Sequence, residues 1–135
     1  MAEKVKLIPV TWNGEAEMLL ARAIGNNPTY SVAELRAEVE NRTSVLMSVQ
    51  TDDERLGYMA LFVEGFGGNK ELVLQAGAGL QNDANALARA MPAFREFARA
   101  AGCQSIRAHM GDRARAKMMQ RQGFKLAEYV VRTGV

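Results

Sequence analysis

The segment that decides the fold is DRARAKMMQRQGFKLAEYVVR, residues 112–132. Asp112 is typical of a helix N-cap, because its carboxylate can accept hydrogen bonds from the free N–H groups of the first turn. Gly123 predicts where this helix ends, since glycine adopts the left-handed conformation found there at almost no cost. Phe124 would then anchor the chain to a core. Residues 127–132 are predicted to form a strand.

The rest of the chain divides into further short elements. They are a strand over 4–10, helices over 15–24 and 31–41, strands over 44–50, 57–63 and 71–76, a helix over 83–101, and a strand over 105–110. Asn13 and the Ser31/Glu34 pair are typical helix caps. The strand 57–63 is apolar on both faces, which predicts an interior strand between 44–50 and 71–76.

The order β-α-α-β-β-β-α-β-α-β, together with the segment 112–132, resembles the GNAT acyltransferases. Their late helix has the form N-x-x-A-x-x-L-Y-x-K-x-G-F and precedes a late strand. The resemblance implies an α/β fold with a mixed, mostly antiparallel, twisted sheet and helices on both faces. It covers essentially the whole chain, so we expect one domain over residues 1–135. The A-R-x-x-G-C…R-x-x-x-M-x-x-x-G-F spacing of residues 98–124 also resembles short GNAT-like proteins of bacteriophages.

The composition excludes several classes of protein. The hydrophobic share of 48% and charged share of 24% are ordinary for a globular domain. No apolar run approaches the roughly 20 residues that span a bilayer, so we expect no membrane association. Cys103 is the only cysteine, which leaves no internal disulfide and no cysteine-rich metal site. We therefore expect a reduced, cytoplasmic protein without a bound metal, in the host cytoplasm or the virion if a phage encodes it.

Charge is distributed unevenly along the chain. Residues 1–81 carry 7 basic and 11 acidic side chains, whereas residues 103–135 carry 7 basic and 2 acidic ones. Arg113, Lys117 and Arg121 recur every four residues and would form one helical stripe. Such a stripe suits a phosphate-bearing ligand or a nucleic-acid backbone, or is a solvated face. Because few aromatics are available for base stacking, we do not expect nucleic acid to be the partner.

The family resemblance implies acetyl-CoA as co-substrate and an amine as acceptor. The loop 81–86 is similar to the family's pyrophosphate-binding motif Q-x-x-G-x-A, except that Ala84 replaces the first glycine. The methyl group of Ala84 would hinder close approach of the backbone to phosphate. Pro92 predicts a kink or a fresh start in the following helix. The implied cofactor-binding residues are the fourth-strand edge at Gln75, loop positions Gln81, Ala84, Asn85 and Ala86, and the cations Arg113 and Lys117.

Candidate catalytic groups follow from the same resemblance. The family's general base is a carboxylate on the fourth strand, for which Glu71 is the candidate and Glu64 lies behind it. His109 is the only histidine and lies near the end of the fifth strand, where its titration range would suit proton transfer from an amine. Strand-end charges and a packing histidine are the alternative interpretations. Met119 takes the position of the family's tyrosine acid, and a thioether cannot donate a proton.

The sequence leaves two hypotheses about function open. One is transfer of an acetyl group from acetyl-CoA to an amine. The other is a non-catalytic GNAT-fold protein that serves as a bacteriophage virion or interaction component and binds a phage or host protein. Because one fold serves many functions, the altered loop and the missing tyrosine leave both hypotheses standing.

Overall fold

The computed structural model describes residues 4–25, 30–79, 85–109, 113–127, 131 and 133–135. These residues form, in chain order, β1 (Lys6–Val10), α1 (Gly14–Ile24), α2 (Val32–Glu40), β2 (Val45–Gln50), β3 (Arg55–Phe66), β4 (Asn69–Gly79), α3 (Ala86–Ala100), β5 (Ser105–Ala108) and α4 (Arg113–Arg121). The strands form one sheet in the order β1-β2-β3-β4-β5. Neighbouring strands are antiparallel except β4 and β5, which are parallel. The predicted fold class is confirmed.

β3 lies in the interior of the sheet, between β2 and β4, as its two apolar faces predict. Leu61 on one side of the strand and Ala60 on the other are both almost completely buried. The strand is longer than the predicted 57–63, because its hairpin with β4 extends as far as the pair Phe66 and Asn69.

Helices cover both faces of the sheet and create two separate cores. On one face, α1 and α2 bring Leu20 and Leu35 against Leu46 of β2. On the other face, Phe94 of α3 and Met119 of α4 pack against strand side chains that point the opposite way. Alternation of side chains along each strand therefore separates the two cores.

The helix ends agree with most of the predicted signals. Asn13 Oδ1 accepts from the Ala16 N–H at 2.9 Å, and Ser31 Oγ accepts from the Glu34 N–H at 3.2 Å. Gly123 follows α4 with φ +93°, the left-handed conformation expected at its end. The predicted cap Asp112 lies outside the described residues, as does most of the predicted strand 127–132. Its described residues, Ala127 and Val131, are not in a strand.

Pro92 lies inside α3, which runs without interruption over Ala86–Ala100. The fresh start that the sequence offered as one outcome does not occur. Pro92 is exposed, while Met91 and Phe94 beside it are 2% and 0% exposed and hold the helix against the sheet. Tertiary packing therefore outweighs the loss of one backbone hydrogen bond.

Candidate functional site

β4 continues beyond the end of its parallel neighbour. The pairs between β4 and β5 run from Glu71 with Ser105 to Leu74 with Ala108, whereas β4 itself reaches Gly79. In the part of the chain that the structure describes, residues 75–79 thus have no strand beside them on the β5 side. Backbone N–H and C=O groups along such an edge are able to pair with another molecule. We call residues 75–79 the open edge.

A β-bulge begins the open edge. The partners of β3 pass from Ala60 with Ala76 to Leu61 with Leu74, which leaves Gln75 as an extra residue of β4. A bulge bends its strand and increases the local twist. Because the bulge lies one residue beyond the last β4–β5 pair, β4 changes direction where its neighbour stops.

Gly57 allows β3 to support the open edge closely. A Cβ at this position would lie 2.3 Å from the carbonyl oxygen of Ala78, much closer than two such atoms can approach. Gly57 and Gly79 are partners in the ladder. Any side chain at position 57 would therefore push the open edge away from β3.

The N-terminus of α3 belongs to the same end of the sheet. α3 connects two parallel strands, so it starts near the carboxyl end of β4 and returns to the start of β5. Ligands of α/β proteins commonly bind at the carboxyl ends of parallel strands, and a helix N-terminus attracts anions. Ala86 opens this helix and Asn85 precedes it. Gln81 and Ala84 lie outside the described residues.

One guanidinium connects the two predicted catalytic residues. Arg107 donates from Nη1 to Glu71 Oε1 at 2.8 Å and from Nη2 to Glu64 Oε2 at 2.5 Å. Its Nε donates to His109 Nε2 at 3.0 Å. Ser105 Oγ donates to the second oxygen of Glu71 at 2.7 Å. The hydrogen bond to Glu64 is the main reason why the pKa of Arg107 is raised.

Glu71 and His109 lie at different levels of this cluster. Glu71 is paired with the first residue of β5, about 10 Å along the strand from the level of Ala108. His109 follows Ala108 directly and is exposed, so it lies at the level where the open edge begins. A neutral imidazole that accepts at Nε2 carries its proton on Nδ1. His109 can accept another proton only at the nitrogen that now faces Arg107.

The side chain of Gln75 points toward α2. Its Nε2 donates to Glu38 Oε2, and its Oε1 accepts from Ser44 Oγ at 2.7 Å. The side chain is thus occupied within the protein, and only the backbone of Gln75 remains for a ligand.

Tyr30 lies near the same α2 carboxylate. Its hydroxyl is buried, without a hydrogen-bond partner in the described part of the chain. Burial is the largest cause that raises the pKa of Tyr30, followed by the charges of Glu38 and Glu34. The hydroxyl therefore stays protonated throughout the neutral range.

α4 presents cations to solvent and a methionine to the core. Met119 is 5% exposed and belongs to the core on the α3 side. Lys117 and Arg121 are exposed, and the side chain of Arg113 lies outside the described residues. Arg115 donates to the carbonyl of Ala23 at 3.0 Å, which ties α4 to the end of α1.

The described residues lack both a metal-binding cluster and a membrane-spanning helix. They contain no group of three or more His, Cys, Asp or Glu side chains that could hold a metal ion. None of the described helices has the length and apolar character needed to cross a membrane. Cys103 is buried and unpaired.

The sequence interpretation missed Arg107 and Ser105. The signal was present in the segment Ser105-Ile-Arg-Ala-His109, where every second side chain is polar. Because alternate residues of a strand share one face, Ser105, Arg107 and His109 belong together. Their carboxylate partners on β3 and β4 are distant in sequence and depend on strand register.

Solved structures share this fold over their whole length. A probable acetyltransferase superposes with a TM-score of 0.70 at 12% identity, over 98% of this chain and 99% of that one. An aminoglycoside N-acetyltransferase in complex with CoA gives 0.67 at 12%, over 100% and 97%. A transcriptional regulator from Bacillus halodurans C-125 gives 0.69 at 15%, over 98% and 100%. At these identities the likeness shows the fold alone, which is that of GNAT-type acetyltransferases.

Comparison of the sequence gives a different result from comparison of the fold. No protein-family model matches it, and no curated protein matches it.

Proposed function

We propose that the protein is an N-acyltransferase that moves an acetyl group from acetyl-CoA to an amine. The observation that carries this proposal is the open edge of β4, which starts at the Gln75 bulge beside the end of β5. An extended ligand can pair with such an edge through its amide groups, as a peptide does in β-augmentation. A CoA complex of a protein with the same fold supports the choice of ligand.

The residues present suit acetyl-CoA, which would bring an activated thioester to the site. Backbone groups of 75–79 would bind the pantetheine amides. The N-terminus of α3 at Ala86, together with Gln81, Ala84 and Asn85 before it, would face the pyrophosphate. Arg113 and Lys117 of α4 would attract the remaining phosphate.

His109 is the group that we assign to the amine proton. As the amine nitrogen bonds to the carbonyl carbon, the carbon–sulfur bond breaks and one proton must leave the nitrogen. His109 Nε2 accepts that proton once the amine displaces its contact with Arg107. Glu71, which accepts from Arg107 and Ser105, positions the guanidinium.

The leaving thiolate must take its proton from water. Met119 fills the place of the family's tyrosine and has no proton to donate, and it is almost completely buried. Loss of a positioned acid typically costs about 10²–10⁴-fold in rate, so we expect slow turnover.

Calorimetric titration with acetyl-CoA tests the binding half of the proposal. Ala86→Glu adds a carboxylate to the first turn of α3, where it favours the helix but repels pyrophosphate. Ala86→Gln has nearly the same size without the charge and is the matched control. We expect the Glu variant to bind acetyl-CoA about tenfold more weakly than the Gln variant, at equal or slightly higher thermal stability. Equal affinities would place the pyrophosphate elsewhere.

Release of the CoA thiol in the presence of a panel of amines tests the chemical half. His109→Asn should lower turnover by about 10²-fold while the dissociation constant of acetyl-CoA stays the same. Unchanged turnover would remove His109 from the mechanism.

A non-catalytic function, such as a bacteriophage virion component or an interaction partner, is the second candidate. Two observations favour it: Met119 is buried in the core, and Arg107 engages both predicted bases. A transcriptional regulator with the same fold is consistent with it. Absence of both acetyl-CoA binding and thiol release would support this candidate.

A further inference from the structure

A second concave surface lies at the opposite end of the sheet from the open edge. It is a groove of about 340 Å³ between the C-terminal half of α3, the start of β5 and the chain that follows α4. Ala86 and Arg99 are thirteen residues apart on α3, which corresponds to about 20 Å along the helix. The cationic rim at Arg99 is therefore remote from the proposed acetyl-CoA site, although Met91 brings the floor of the groove nearer to it.

The floor of the groove is apolar. Met91 and Ala98 of α3 contribute to it, together with Cys103, Ile106 and Phe124. Met91, Ala98 and Cys103 are at most 9% exposed, so the floor belongs to the core and keeps its shape. A volume of about 340 Å³ above an apolar floor lies in the range of small-molecule sites.

The rim of the groove is cationic. Arg95 and Arg99 come from α3 and Lys125 comes from the segment after α4, and none of the described residues lining the groove is a carboxylate. Within the described ranges, none of these three cations forms a salt bridge. Arg95 Nη2 donates to the carbonyl of Gln122 at 2.7 Å, which holds this guanidinium at the rim. Three positive charges on one concave surface, without an ion-pair partner among the described residues, favour an anion as the complementary ligand.

We propose that this groove binds a small organic anion, with an apolar body on the floor and a carboxylate, phosphate or sulfonate at the rim. The apolar part gains from leaving water, and Arg99 and Lys125 supply charge-assisted hydrogen bonds to the anionic head. The amides of Gln104 and Gln122 add neutral donors on the wall. This proposal is independent of acyl transfer, since it uses none of the residues assigned to acetyl-CoA.

The probe for the test is 8-anilinonaphthalene-1-sulfonate, which has an apolar body and one anionic group. Its fluorescence gives the affinity for the folded protein, and amide shifts in ¹H–¹⁵N spectra locate the contact. We expect shifts at Gln104, Ser105 and Gln122. Arg99→Gln and Lys125→Gln should each weaken binding about fivefold, and both together by more than tenfold. Arg42→Gln removes an exposed arginine outside the groove and should leave the affinity unchanged.

Two further arms separate this site from others. Saturating acetyl-CoA should leave probe binding at the groove intact, and an uncharged anilinonaphthalene should bind there at least tenfold more weakly than the sulfonate. Inorganic phosphate and acetate then compete separately to distinguish the two natural head groups. The proposal is overturned if acetyl-CoA displaces the probe, if the shifts map to the open edge, or if the groove variants with unchanged unfolding temperature bind like Arg42→Gln.

Discussion

The two halves of β4 have opposite surroundings. From Glu71 to Leu74 the strand lies between β3 and β5, and the charges of Glu64, Arg107 and Glu71 join the three strands on one face. From Gln75 to Gly79 the same strand has β3 on one side and, within the described residues, no strand on the other. The first half thus has a strand on each side and ion pairs across the three strands. Among the described residues, the second half has a strand on one side only. We call them the closed half and the open half.

If acetyl-CoA pairs with the open half as proposed, one strand serves as both scaffold and binding edge. In the closed half, each backbone group can pair with a neighbouring strand, so little remains to bind a ligand. In the open half, a bulge and a close glycine contact with β3 hold the strand in place instead. Stability and the proposed binding function would therefore be divided along a single element.

The largest expected effect is a loss of stability when the close contact between Gly57 of β3 and the open half of β4 is disturbed. Gly57→Ala forces a methyl group against the carbonyl of Ala78 and should destabilise the protein by about 3 kcal/mol. It should also weaken acetyl-CoA binding, because the open edge must move. Urea unfolding and calorimetry measure the two effects.

Gly65→Ala is the matched control on the same strand, since a Cβ at Gly65 meets nothing within 4 Å. Its unfolding free energy should change by no more than about 0.5 kcal/mol. Similar values for the two variants would mean that the contact at Gly57 does not hold the open half.

A smaller effect is expected in the closed half. Arg107→Gln leaves Glu64 and Glu71 close together without a cation and should cost about 1–2 kcal/mol, reduced by the 33% exposure of the arginine side chain. Combination with Glu71→Gln in a double-mutant cycle should show that the two changes are not additive. Additive free energies in urea unfolding would mean that this ion pair contributes nothing.

Truncation of the bulge residue Gln75 should reduce the stability of the protein less than the change at Arg107 does. Gln75→Ala removes hydrogen bonds to Glu38 and Ser44 and should cost about 1 kcal/mol. Because only the backbone of Gln75 faces the ligand, acetyl-CoA affinity should change less than threefold. A large loss of affinity at small loss of stability would show that the side chain takes part in binding.

The smallest expected effect is a change in how the stability of the protein depends on pH. It arises from the contact between Glu15 of α1 and Tyr58 of β3. The hydrogen bond from Tyr58 is the main cause that holds the pKa of Glu15 below its ordinary value, followed by the one from Arg55. Tyr58 is the partner of Ala78 in the open half. A depressed folded-state pKa gives stability that is present above the unfolded value and lost as the pH falls through the folded value.

Glu15→Gln should therefore flatten the decrease of the unfolding midpoint as the pH falls below about 4.5, the ordinary value for glutamate. Glu40→Gln is a control of the same charge, on an exposed helix end. If both variants keep the acid dependence of the native protein, the contact with Tyr58 does not contribute to it.

Patterns among neighbouring residues were sufficient to predict much of the architecture. Asn13 and Ser31 cap their helices as predicted, because a cap depends on residues three positions apart. The two apolar faces of 57–63 correctly placed β3 inside the sheet, since such a strand must be covered on both sides. The predicted roles of Glu71, His109 and the loop 81–86 stay predictions.

The sequence by itself determined the order of the first nine elements, the caps at Asn13 and Ser31, the interior strand and the absence of a proton donor at position 119, because each follows from neighbouring residues. Only the tertiary structure decided where β5 stops beside β4, that Gln75 is a bulge residue, and that Arg107 joins Glu71 to His109. It also decided that Arg95, Arg99 and Lys125 surround one groove. These features depend on pairing and packing between separate segments of the chain, and a shift of one residue in strand register would turn every side chain to the opposite face.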